Sequence, residues 1–150
     1  MKKSLLFILC CLAFSGCYEA ETAPDAKVLV RAAEFADAYF NYNFEKAKKM
    51  VTPESEKWLR FAASNVTQED VDLLNAQEES ATVEAVDYER TNDSTLVVTV
   101  AVRNFLKKDS LGKEGVIADE ATFFLTAVQH GGDFLIRMEG LPRSERQSHD

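Results

Sequence analysis

Cysteine, histidine, glycine and proline are all scarce in this chain of 150 residues, which has three Cys, two His, six Gly and three Pro. Cys10 and Cys11 sit inside an apolar N-terminal run, so Cys17 is the only thiol in the remainder. An internal disulfide or a Cys-based metal site therefore has no material in the part of the chain that folds. The two histidines, His130 and His149, stand at no ligand spacing, which argues against zinc and non-haem iron. No glycine-rich loop precedes a helix, since Gly112 and Gly115 fall in a strand connection, and no Gly-x-Ser-x-Gly elbow occurs. Nothing in this pattern calls for a metal or an organic cofactor. Positive charge is also in deficit, with 17 Lys and Arg against 25 Asp and Glu and a formal charge of −8. A general nucleic-acid binder needs a basic surface to displace phosphate counterions, so no nucleic-acid partner is expected. The unbroken apolar stretch Leu5 to Phe14 is too short, at ~1.5 Å rise per residue, to cross a hydrocarbon core of ~30 Å.

What is present is globular in composition, 46% hydrophobic and 28% charged, and sized for one domain. The first residues have a recognisable layout: a basic head, Met1-Lys2-Lys3, then the apolar stretch, then small residues, as in a secretory signal peptide. Phe14-Ser15-Gly16-Cys17 resembles the lipobox of bacterial lipoproteins, matching at Ser15, Gly16 and Cys17 and departing at Phe14, where Leu is commoner. The resemblance implies that residues 1–16 are removed, that Cys17 carries the lipid, and that residues 17–24 form a tether. It also implies a membrane partner through that anchor and a place in the bacterial cell envelope. Tyr18 after the Cys, rather than Asp, points to the outer membrane. One acyl chain holds a protein only marginally, at ~0.8 kcal/mol per buried CH₂, whereas two or three hold it firmly. Removal of Lys2 and Lys3 leaves the chain still more acidic, so anionic lipid repels the domain except at its tether. Fully extended, Tyr18 to Pro24 reaches about 25 Å.

Downstream, two hydrophobic periods follow one another. Val28, Ala32, Phe35, Tyr39 and Tyr42 recur at helical spacing from Asp25 onward, widened by Leu29, Ala33, Ala36 and Phe40. Asn43 is placed to cap a short helix from Phe44 to Met50. Thr52-Pro53 opens a third helix with Glu54 and Glu56 in its first turn and Trp58, Phe61 and Ala62 on its inner face. Thr67-Gln68-Glu69-Asp70 starts a last helical stretch to about Asn75. The period then becomes two. Strands are expected over Ala81 to Glu89, Thr95 to Phe105 (Leu96, Val98, Val100 and Val102 on one face), Ile117 to Gln129 and Phe134 to Glu139. His130-Gly131-Gly132-Asp133 is a tight hairpin turn. Residues 25–140 thus read as α+β, with N-terminal helices packed on a curved antiparallel sheet of about four strands, and 141–150 as a polar tail.

The stretch Ala33-x-Phe35-x-x-Ala38-Tyr39-Phe40, followed by Phe44-Glu45-Lys46-Ala47-Lys48-Lys49-Met50-Val51-Thr52, resembles the start of NTF2-like domains. It is most similar to a small-lipoprotein branch of unknown function, sometimes labelled lumazine-binding-like. That family commonly has Gly-Asp before the Phe, where this chain has Tyr42-Asn43. The resemblance implies a cone with a cavity between helices and sheet. It implies no activity, because the fold hosts enzymes and non-enzymes alike.

Three readings of function follow. The leading one is a non-enzymatic, lipid-anchored domain that binds a small apolar or aromatic ligand, or another envelope protein, with Tyr39, Trp58, Phe61, Tyr88, Phe123 and Phe134 as lining candidates. The same rings also serve plain core packing. The second is a cavity enzyme moving protons, with Asp87 or Asp119 as base beside Tyr39. The third is an assembly role, with the outer sheet face pairing two copies of the chain. Lys46, Lys48, Lys49, Lys57 and Arg60 form a basic cluster that suits either an acidic partner or a solvated helix face.

Overall fold

The computed structural model describes residues 24–108 and 112–144. Residues 1–23, where the signal peptide, the lipidated Cys17 and most of the tether are expected, and residues 145–150 of the tail lie outside the described residues. A 3-10 turn, Pro24–Ala26, leads into α1 (Lys27–Phe40), α2 (Phe44–Lys48), α3 (Glu56–Ser64) and α4 (Gln68–Ala76). Four strands follow: β1 (Thr82–Asn92), β2 (Thr95–Lys107), β3 (Val116–His130) and β4 (Asp133–Arg137). They pair in chain order, each antiparallel to the next. This is the α+β architecture that the change of period implies.

The core lies between α1 and the sheet. Val28, Ala32, Phe35 and Ala36 of α1 are fully buried, and so are Leu96, Val98, Val100 and Val102 of β2. Register sets Phe123, Leu125 and Ala127 of β3 beside these strand residues, and Ile136 of β4 extends the layer. The segment after α2 covers the free edge of β4, where Ile136 N–H donates to Met50 O at 2.8 Å and Thr52 N–H to Ile136 O at 3.0 Å.

Three local features shape the end of the molecule that matters most. First, α1 stops in a Schellman turn: Tyr42 N–H donates to Tyr39 O at 3.1 Å, and Asn43 N–H to Ala38 O at 2.8 Å. Glycine usually occupies the left-handed position of this motif. Here Tyr42 does, at φ 61°, a conformation that costs an L-residue roughly 1–2 kcal/mol. Asn43 then caps α2 by accepting from Lys46 N–H at 3.1 Å.

Second, β2 changes phase at Asn104, which adopts φ 57°. The β2–β3 register is the same on either side, Arg103↔Glu120 and Phe105↔Ala118, with Asn104 left out of the pairing, and the buried positions pass from Val102 to Phe105. The segment before β1 clasps this kink: Asn104 Nδ2 donates to Glu79 O at 2.6 Å, and Gln77 Nε2 donates to Asn104 O at 2.9 Å.

Third, α3 presents a different face from the one its aromatics suggest. Leu59 is its buried residue, Trp58 is half-buried against the core, and Phe61 is 36% exposed. The cause lies one turn earlier. Ser55 is fully buried, accepts from Met138 N–H at 2.8 Å, and shares a 2.7 Å hydrogen bond with Thr52. Helical spacing from a buried Ser55 brings Leu59 inward.

The two ends of the sheet differ. The β1–β2 and β3–β4 turns share one end, and the chain enters the fold there. Arg90 binds Asp25 through Nε at 3.0 Å and a second nitrogen at 2.5 Å, and Arg31 pairs with Asp133. The β2–β3 connection lies at the other end, beside the C-terminus of α1.

Candidate functional site

At that second end a cavity of about 640 Å³ opens between α1, the sheet and the end of the chain. Each of the three local features supplies part of its wall. The last turn of α1 contributes Tyr39 and Phe40, and the Schellman turn brings in Tyr42 and Phe44. The kink at Asn104 turns Phe105 inward, and register with Val100 places Phe123 beside it. Phe40, Phe105 and Phe123 touch pairwise, with ring centroids 4.6 Å apart for Phe40–Phe123 and 5.5 Å apart for the other two pairs. Tyr39 meets Phe40 edge-on at 5.1 Å and Phe44 at 5.7 Å, and Tyr42 meets Phe44 at 5.5 Å. Six rings therefore form one connected wall, and every contact but the tilted Phe40–Phe123 pair is of the edge-to-face kind that ring quadrupoles favour.

Two phenols give this wall a polar side. Burial pushes both tyrosines up, that of Tyr42 to about 12, with the Asp70 carboxylate adding to the effect on Tyr42. Tyr39 is raised by burial and by its neighbour Tyr42. Both hydroxyls thus stay protonated at neutral pH and remain hydrogen-bond donors.

The mouth is held by a buried acid. Asp70 of α4 is fully buried and closes a capping box, accepting from Thr67 N–H at 2.9 Å while its own N–H donates to Thr67 Oγ1 at 3.2 Å. It also accepts from Gly115 N–H at 2.8 Å and from Lys108 Nζ, which reaches Asn65 O at 2.5 Å as well. Burial alone would raise the Asp70 carboxyl, but the hydrogen bonds from Lys108, Thr67 and Gly115 outweigh it and hold the group down at about 2. Gly115 is required by its close approach to β2, because a Cβ there would lie 2.7 Å from Lys107 O and 2.9 Å from Leu106 Cδ1. Asp70 thereby ties α4 to residues on both sides of the β2–β3 connection. Lys107, Lys108, Glu120, Leu141, Pro142 and Arg143 also line the cavity.

Of the six aromatic candidates read from the sequence, Tyr39 and Phe123 line this cavity. Phe134 packs in the core on β4, and Tyr88 lies half-buried on β1. Trp58 and Phe61 meet each other edge-on at 6.1 Å on α3, with Lys57 Nζ 5.4 Å from the Trp58 ring centre. Phe40, Tyr42, Phe44 and Phe105 complete the wall and were not among the candidates. Phe40 and Tyr42 lay in the helical stripe, which gave a signal of burial. Phe105 gave none, because strand alternation places it on the face opposite Val102. Asp87 and Asp119 are exposed and do not line the cavity, and Asp87 accepts from the N–H of Tyr88 at 2.8 Å. Among the described residues, no cluster of three His, Cys, Asp or Glu stands ready for a metal, and no helix is long and apolar enough to cross a membrane.

A shallower pocket of about 380 Å³ adjoins the first, lined by Asn41, Ala63, Val66, Val71, Leu74 and Asn75. Tyr42 and Phe44 line both spaces.

No family model matches the chain, and no curated protein matches it. Among solved structures it is similar to a chain titled "Ntf2 like protein involved in plasmid conjugation", at 15% identity and a TM-score of 0.43, over 85% of this chain and 51% of that one. This chain thus spans about half the length of that structure.

Proposed function

We propose that this chain is a lipid-anchored NTF2-like domain of the bacterial cell envelope that binds a compact apolar or aromatic molecule in its ringed cavity, without catalysis. The observation that carries the reading is the connected wall of six aromatic rings with two protonated phenols around about 640 Å³. Small-molecule sites are commonly clefts of ≈ 300–1,000 Å³ with apolar walls and a few orienting polar groups. The rings supply stacking area, and the two hydroxyls would orient one polar edge of the guest. Asp87 and Asp119 stand away from this wall, and the carboxylate that does line the cavity, Glu120, is exposed and lies 3.6 Å from Arg103, which favours binding over proton transfer. The arrangement also suits an anchor at Cys17. The chain enters the fold at Asp25, at the end remote from the cavity mouth, so a guest would arrive from the aqueous side rather than from the bilayer.

The test uses 1-anilinonaphthalene-8-sulfonate, an amphipathic aromatic probe. Titration into the protein should raise its fluorescence saturably with one site per chain. Ala121→Trp, which fills the cavity, should abolish that signal while keeping a cooperative melt. Absence of saturable binding to the unmodified protein would overturn the proposal.

A further inference from the structure

Tyr42 stands where a helix-ending turn normally takes glycine, and its left-handed backbone works against a bulky side chain. A residue under such strain persists where its surroundings demand the side chain itself. The demand is visible in the two adjoining spaces. Tyr42 and Phe44 line both pockets, so these two residues stand where the two spaces meet. The end of α3 continues this boundary: Ala62 and Asn65 face the larger space, and Ala63 and Val66 the smaller. Beyond the boundary, Val66, Val71 and Leu74 offer an apolar surface, with Asn41 and Asn75 also lining the pocket.

We infer that Tyr42 is a partition that sets the length of ligand this protein accepts. With Tyr42 in place, the guest is confined to the ringed cavity. Without the ring, the two spaces join into one elongated site, which would take an amphiphile with its aromatic head among the six rings and an alkyl chain along Val66, Val71 and Leu74. Tyr42 is thus a specificity-determining residue. The inference rests on the ligand-binding reading above and adds a limit on guest shape to it.

Tyr42→Gly removes the ring and relieves the backbone at once, and Tyr42→Phe keeps the partition. Two probes are compared on all three proteins: anilinonaphthalene sulfonate, which has no chain, and 11-(dansylamino)undecanoic acid, which has one. Tyr42→Gly takes one ring and one hydroxyl from the wall for both probes, so each protein is read as the affinity of the chain-bearing probe relative to that of the compact one. That ratio should be at least roughly tenfold higher for Tyr42→Gly than for the other two, since each methylene admitted to an apolar space adds favourably. Val71→Trp in the Tyr42→Gly background should remove that gain by filling the smaller pocket. Should Tyr42→Gly fail to fold, Tyr42→Asn, which also tolerates the left-handed backbone, carries the same comparison. An equal ratio in the unmodified protein and Tyr42→Gly overturns the partition while leaving the binding site standing. Failure of the compact probe to bind the unmodified protein overturns both.

Discussion

Asp70 is the one ionisable group that is buried completely among the described residues, and three donors hold it there. An unpaired carboxylate in that place would be costly, so most of the worth of the arrangement lies in its completeness. Asp70→Ala would leave Gly115 N–H and Lys108 without their acceptor. A cost of about 3 kcal/mol is expected, at the low end for a broken buried pair because Lys108 keeps some contact with water. The pH dependence has a definite sign. The folded-state pKa lies below the ordinary 3.8, so the contribution of Asp70 is complete above that value and is lost as pH falls towards 2. Urea midpoints at pH 7 and pH 3 should therefore differ less for Asp70→Ala than for the unmodified protein. An equal drop in both would place the acid sensitivity elsewhere.

At the scale of the element, α3 shows how a single buried hydroxyl turns a helix. Aromatic residues suggested one inner face, yet Ser55 is anchored under β4 by Met138 N–H and so commits Leu59 to the core. Leu59→Ala should cost about 2–5 kcal/mol, and Trp58→Ala, at a half-buried position, distinctly less. Denaturation midpoints in the reverse order would mean that Trp58 is the true inner residue. β2 makes a related point. Its alternation is regular from Leu96 to Val102, and one residue in the left-handed region then breaks it, so that Phe105 is buried where the alternation would expose it.

For the whole molecule, the two ends of the sheet have separate tasks. One end takes in the chain and is fastened by the Arg90–Asp25 and Arg31–Asp133 pairs, and the other carries the cavity. With the proposed anchor at Cys17, α1 would hold the cavity about 20 Å further from the lipid than its own first turn does. Cys17→Ser should abolish fatty-acid labelling and release the protein from membranes while leaving the affinity for the compact probe unchanged. Labelling that persists in the mutant would refute the anchor.

Much of this protein is settled by sequence periodicity. Apolar spacing of three and four residues before Asn75 and of two after Ala81 can bury one face only as helices laid on a sheet, and the turn at Gly131-Gly132 makes the pairing antiparallel. The cap at Asn43 and the helix start at Thr67 were legible for the same reason, since both rest on residues a few positions apart. The cavity was legible only in part. Tyr39 and Phe123 announce burial, but burial along the chain does not say which rings meet. Phe105 reaches the wall because Gln77 and Glu79 hold Asn104 in a kink, and Tyr42 reaches it because the end of α1 carries it past the helix into a left-handed turn. Asp70 meets Gly115 across 45 positions. Contacts of that kind depend on where distant segments come to lie, which local spacing does not encode, and only the tertiary structure decides them.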